Sequence, residues 1–136
     1  MELVIDANIL VSALIKESHT RHFILLRGHA FYVPEFVFNE IADHIAEIKD
    51  KTMLSEMEIK ELLNQIIILG DVKIIPLEEL KGFRKEALQL SPDPDDAPYV
   101  ALALKIGCGI WSNDRELKIK IKVIKVYSSK EIMGGM

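Results

Sequence analysis

A single cysteine, Cys108, leaves no internal disulfide and no second thiol for a structural zinc site. Its neighbours Gly107 and Gly109 mark a tight turn, where a small buried residue fits. Long apolar runs are missing too. A stretch such as residues 66–69 falls far short of the ~20 residues that cross a bilayer, so no membrane segment is expected. Glu2 and Asp6 interrupt the region where a signal peptide would be basic and then apolar, and a cytoplasmic protein is expected. No Pro/Gly/Ser-rich linker, low-complexity tract or internal repeat breaks the chain. No Gly-rich phosphate cradle follows the first apolar run, which removes the main support for a nucleotide-binding fold. His19, His22, His29 and His44 fall in helix or turn positions with no nucleophile signature, against a Ser-His-acid arrangement. His19 and His22 are spaced as a weak metal signal, which a solvated helix face explains more simply.

What is present fits one compact domain spanning residues 1–136, with 49% hydrophobic residues and a mean hydropathy of +0.17. A chain of this size buries about two thirds of its unfolded surface. The net charge of −4 argues at first against a polyanionic partner. Its distribution is uneven: from residue 115 to 136 there are one Arg and five Lys against two Glu. If a cation neutralised four carboxylates, the rest of the chain would carry no net charge.

The hydrophobic pattern alternates strand-like and helix-like segments. Residues 2–6 read as a short buried strand, since the continuous apolar run Leu3-Val4-Ile5 within them is typical of strands covered on both faces. Asn8 is placed to cap the helix that follows, to about Ile15. Ser18 or Thr20 opens a second helix, ended by Gly28. Residues 30–33 read as the second strand. Pro34 starts a helix carrying Val37, Ile41, Ile45 and Ile48 at helical spacing. Ser55 and Glu58 make a capping box for a helix that Gly70 stops. Residues 72–75 read as the third strand and 78–90 as a helix broken at Ser91-Pro92. After an Asp-Pro-Asp-Asp loop comes a helix to Ile106 with Gly107 past its end. Residues 109–112 and 121–126 complete five strands. The spacing predicts an α/β/α three-layer sandwich around a mainly parallel five-stranded sheet.

On this map four carboxylates fall at transitions. Asp6 closes the first strand, Glu40 lies one turn into a helix after the second, Asp96 precedes the helix after residue 96, and Asp114 follows the fourth strand. Each has a simpler explanation when taken singly. Asp6 could cap a helix, though Asn8 already serves. Glu40 could sit on a solvated helix face, Asp114 could be turn chemistry, and one of Asp95 and Asp96 could cap. Together, with Asp93 beside them, they exceed those needs. In a parallel α/β sheet, strand ends and helix starts meet along the edge where ligands bind. An acidic pocket there suits a hard divalent cation. Lys118, Lys120 and Lys122 alternate with Ile119, Ile121 and Val123, which reads first as protection of a strand edge. Contact with a phosphate backbone, shared with Arg115, is the second reading.

These residues resemble the PIN-domain family of metal-dependent ribonucleases. The match lies in Val4-Ile5-Asp6-Ala7-Asn8-Ile9-Leu10, Val33-Pro34 leading to Glu40-Ile41, Asp95-Asp96-Ala97 with the Ala101/Ala103 helix, and Trp111-Ser112-Asn113-Asp114. The resemblance implies Mg²⁺ or Mn²⁺ among Asp6, Glu40, Asp96 and Asp114, with Asp6 and Asp96 direct ligands and Asp95 or Asp93 assisting. It places Asn8 and Ser112 as supporting polar residues. Glu116 falls where some members carry a further acid, and Asn113 stands where many have Gly. It also implies endoribonuclease action on single-stranded or looped RNA, leaving 5′-phosphates, and frequent homodimers. Small prokaryotic members include toxins held by an antitoxin. Two other classes compete. One is a PIN-like module that binds RNA or protein without cutting. The other, a phospho-acceptor receiver domain, needs an acceptor Asp ending the third strand, which here runs into Pro76-Leu77.

Overall fold

The computed structural model describes residues 1–16, 19–26 and 28–134. Five parallel strands, β1 (Glu2–Ile5), β2 (Ala30–Pro34), β3 (Lys73–Ile75), β4 (Gly109–Trp111) and β5 (Val126–Tyr127), form one sheet in the order β3-β2-β1-β4-β5. Central β1 is wholly apolar where it crosses the core: Leu3, Val4 and Ile5 are 0% exposed. That is the signature of a strand covered on both faces. The chain adds strands outward on one side of β1, then returns to add β4 and β5 on the other. The order therefore reverses between β1 and β4, where Ile5 is in register with Trp111.

Helices cover the sheet, giving the expected three-layer arrangement. After β1 come α1 (Ala7–Ile15) and α2 (His19–Leu25); Ser18, one of two residues expected to open α2, lies outside the described residues. α3 (Val37–Asp43), α4 (Ile45–Thr52) and α5 (Glu56–Leu69) connect β2 to β3. A 3-10 helix (Leu77–Phe83), α6 (Arg84–Leu90), a short 3-10 turn (Pro94–Asp96) and α7 (Ala97–Ile106) lead to β4. α7 packs against β1, β2 and β4, and α6 packs on α7. α8 (Arg115–Lys120) and α9 (Ser129–Met133) flank β5. The capping box at Ser55 and Glu58 and the left-handed Gly107 (φ +76°) both occur where the sequence places them.

Several expectations need correction. Asp6, not Asn8, caps α1, because the chain leaves the sheet one residue earlier and Asn8 already lies inside the helix. The helix expected from Pro34 to Ile48 is two helices meeting at His44, with Val37, Ile41 and Ile48 still on its buried side. Residues 78–90 begin as a 3-10 helix. Lys118 and Lys120 belong to α8 rather than to a strand edge, and Lys122 lies in a bend. Asp114 starts a helix there, and Leu117 and Ile121, four residues apart, are the pair that turns inward. β5 is correspondingly short. Gly70 stops α5 with ordinary right-handed φ; the left-handed residue is Asp71 (φ +49°). Its bare Cα serves packing instead, since an added Cβ would sit 2.9 Å from the Ile24 side chain.

Gly109 is under a similar constraint where β4 meets β5. A Cβ there would lie 2.7 Å from the Lys125 carbonyl oxygen and 2.8 Å from the Tyr127 ring. Backbone cannot yield cheaply, so Gly109→Ala should lose about 1–3 kcal/mol in urea denaturation. Gly82→Ala, with nothing within 4 Å and no positive φ, should be neutral or slightly stabilising.

Candidate active site

The reversal of strand order sets where the acids meet. As β1 ends, the Asp6 backbone N–H donates to the Trp111 carbonyl (3.2 Å), tying the exits of the two strands together. The Asp6 side chain then turns into the crevice. Its Oδ1 accepts from the Ile9 N–H at 3.0 Å, capping α1, and the Ser112 hydroxyl donates to the same carboxylate. Ser112 is 1% exposed, a buried polar residue amid an apolar core. Its oxygen also accepts from the Asp114 N–H at 3.1 Å, so one hydroxyl links the first acid to the last.

Asp114 caps α8, its Oδ1 accepting from the N–H groups of Glu116 (2.9 Å) and Leu117 (3.3 Å). Asp93 performs a similar task for the 3-10 turn: its Oδ1 accepts from the Asp95 N–H at 2.8 Å, and its carbonyl from the Asp96 N–H at 2.9 Å. Asp93 and Asp95 are exposed, whereas Asp96 is half-buried. Glu40 reaches the cluster from the first turn of α3, where the Tyr99 hydroxyl donates to its Oε1. Tyr99 is 3% exposed and lies one turn beyond Asp96 on α7. In the sequence Tyr99 reads only as part of an apolar helix; a phenol on a buried face three residues after an acid was the available signal.

The electrostatics show one cluster. Asp6 is pushed up to about 6, chiefly by burial and further by Glu40 and Asp114, against the hydrogen bonds from Ser112 and Ile9. Asp96 is also pushed up to about 6, again mainly by burial and then by Asp114, Asp93 and Asp6. Burial raises Glu40 as well; the Tyr99 hydroxyl opposes this, and Asp95 adds to it. The charges acting on Asp6 and Asp96 are all acidic. Such a set of hard oxygen donors fits Mg²⁺ or Mn²⁺, which would supply the missing positive charge. The fit is one of chemistry and placement: among the described residues no three His, Cys, Asp or Glu side chains are already disposed to hold an ion.

The other expected residues lie around this crevice. Asn8 is exposed on the first turn of α1. Arg115 is exposed beside Asp114. Lys118 pairs with Glu131, and Lys120 pairs with Glu116 at 3.1 Å, so both lysines are already engaged. A groove of about 430 Å³ adjoins the acids, reaching Asp95 and lined by Phe36, Pro98, Lys81 and Arg84.

Asp6 provides a pH test. With its folded pKa near 6 and an ordinary value of 3.8, the folded state holds the proton more tightly than the unfolded one. The ionised form therefore opposes folding by roughly 3 kcal/mol above pH 6, a penalty that disappears as pH falls toward 4. In EDTA the melting temperature should rise on lowering pH from 8 to 5. Asp6→Asn keeps the cap, so it should melt higher than wild type at pH 8 and show a flatter profile. A wild-type melting temperature that falls over that interval would contradict the buried-acid account.

The family model described as PIN domain matches residues 4–128. Among solved structures, the fold is similar to a chain in the crystal structure of VapBC2 from Rickettsia felis bound to a DNA fragment from their promoter. The TM-score is 0.66 at 17% identity, covering 94% of this chain and 98% of that one. A search of curated proteins finds no match. A family match over nearly the whole length, on a parallel sheet whose strand exits gather carboxylates, makes this chain a member of the PIN-domain family.

Proposed function

We propose that this protein is a divalent-cation-dependent endoribonuclease whose site is Asp6, Glu40, Asp96 and Asp114, with Asp93 and Asp95 assisting. The observation that carries this reading is the meeting of acids from four separate segments at the β1/β4 reversal, with the charges acting on Asp6 and Asp96 all of one sign. When bound, Mg²⁺ or Mn²⁺ would offset that charge, acidify water for attack on phosphorus and stabilise the leaving oxygen.

The chain's own groups prepare the site. The Ile9 N–H and Ser112 hydroxyl fix the Asp6 carboxylate at the end of a rigid strand. Tyr99 holds Glu40 by a hydrogen bond to Oε1. Asp96 enters from the end of the short 3-10 turn that leads into α7, a turn whose start Asp93 caps. Arg84 in the adjoining groove, and Arg115 beyond Asp114, offer positive charge to a nucleic-acid backbone, while Lys81 of that groove pairs with Glu78 at 2.9 Å. The reading extends to single-stranded or looped RNA and 5′-phosphate products. The single sheet and core support one domain over residues 1–136. The VapBC2 likeness supports a toxin held by an antitoxin, and a homodimer is part of the same proposal. No helix among the described residues is long and apolar enough to cross a membrane; a cytoplasmic protein remains part of the proposal.

One observation favours a second reading. Because among the described residues no three His, Cys, Asp or Glu side chains are already disposed around an ion, a PIN-like module that binds RNA or protein without cutting is the alternative. Cleavage of an end-labelled, partly structured RNA with Mn²⁺ separates the two. Wild type should cut, while Asp6→Asn and EDTA each reduce cleavage by at least about 100-fold, the scale of losing one metal-holding or charge-stabilising group. RNA retarded on a gel yet left intact would support the binding module instead. Tyr99→Phe should cut about 10-fold more slowly, the low end for a group supporting a metal site, with its fold retained by circular dichroism.

A further inference from the structure

The turn that carries Asp114 is held from both sides. Ser112 secures the buried side. On the outer side Asn113 and Ser129 exchange two hydrogen bonds: the Ser129 N–H donates to Asn113 Oδ1 (2.7 Å), and Asn113 Nδ2 donates to Ser129 Oγ (3.1 Å). The same Ser129 oxygen accepts from Trp111 Nε1 at 3.0 Å. Trp111 is 0% exposed and is wedged against Phe23 and Phe31, so it does not move freely. Ser129 is equally well placed. It opens α9 behind a capping box in which Ser128 Oγ accepts from the Glu131 N–H and Glu131 Oε1 from the Ser128 N–H. Glu131 also takes Lys118, which belongs to the helix Asp114 caps.

We infer that the Asn113–Ser129 pair is a positioning device for Asp114: α9 reaches back to fix where the fourth carboxylate stands relative to Asp6 and Asp96. Three features point this way. Asn113 is exposed, so its side chain is not required for burial, yet both ends of its amide are engaged by one residue. The bonds join the residue just before Asp114 to an element anchored on buried Trp111. The tie also extends past Asn113, since Glu131 of the same short helix takes Lys118 from the helix that Asp114 caps. Ser112 holds the backbone N–H of Asp114, but the side chain is exposed, and among the described residues its carboxylate bonds to the N–H groups of the short helix that moves with it. A carboxylate displaced by half an ångström is out of place for a shared cation.

The inference rests on the proposed cation site, so the test first measures wild type. Thermal melts are recorded across a Mn²⁺ titration, with EDTA as the zero, for wild type, Asn113→Ala, Ser129→Ala and Ser129→Thr. Asn113→Ala and Ser129→Ala should each raise the Mn²⁺ concentration for half-maximal stabilisation about 10-fold, the usual scale for groups that orient metal-holding side chains. Ser129→Thr keeps both the hydroxyl and the N–H, and should return it to near wild type. The Asn113→Ala melting temperature in EDTA should stay near wild type, because the residue is exposed. An unchanged Mn²⁺ midpoint in both alanine variants would overturn the positioning role while leaving the cation site standing. A lower EDTA melting temperature with no change in midpoint would make the pair purely structural and likewise overturn it. Absence of any wild-type response to Mn²⁺ would overturn the cation site and this inference together.

Discussion

The pairing of β1 with β4 is the constraint on which the rest depends. It brings together two segments more than a hundred residues apart, sets Ile5 opposite Trp111 and lets the Asp6 N–H close onto the Trp111 carbonyl. Both strands are short and almost wholly buried, so a slip of one residue would turn Leu3 and Ile5 toward the wrong layer. Register is therefore set by the core, and the core in turn sets the distance between Asp6 and the Ser112–Asp114 turn. The acids inherit their geometry from the apolar side chains that set this register.

Given that frame, the acids both build and burden the fold. Asp6, Asp93 and Asp114 each accept backbone N–H groups at a helix start, which helices need in any protein. The same placement gathers like charges where β1 and β4 end, with Asp6 and Asp96 partly buried among them. Burial and mutual repulsion push Asp6 and Asp96 well above the ordinary carboxylate range. A site of this kind trades stability for chemistry, and the compensation sits around it. Ser112 bridges two acids, the Tyr99 hydroxyl donates a hydrogen bond to a third, and the aromatic contacts of Trp111 with Phe23 and Phe31 fix the strand end to which the Asp6 N–H bonds.

Much of this was legible from residue order. A continuous apolar run announces a buried parallel strand, a Ser-x-x-Glu announces a helix start, and Gly107 announces a helix end; each acts through its immediate neighbours. Misreadings arose where local signals competed. The Lys/Ile alternation after Asp114 has the period of a strand, but Asp114's cap and the inward pair Leu117 and Ile121 make it helical. Asn8 is a good capping residue, yet the strand ended one position earlier and Asp6 took the task. Tyr99 looked apolar because its hydroxyl partner, Glu40, is 59 positions away in the chain.

By itself the sequence determined the type and order of the main elements and the five-stranded plan, and it singled out four acids as candidates, because patterning, caps and turn residues act over a few positions. Only the tertiary structure decided the strand order with its reversal between β1 and β4, which acids are half-buried and shifted, and that Ser112, Tyr99, Asn113 and Ser129 hold them. Those outcomes depend on contacts between segments far apart in the chain. Such contacts are selected by how the whole apolar core closes, and no short stretch of sequence contains that information.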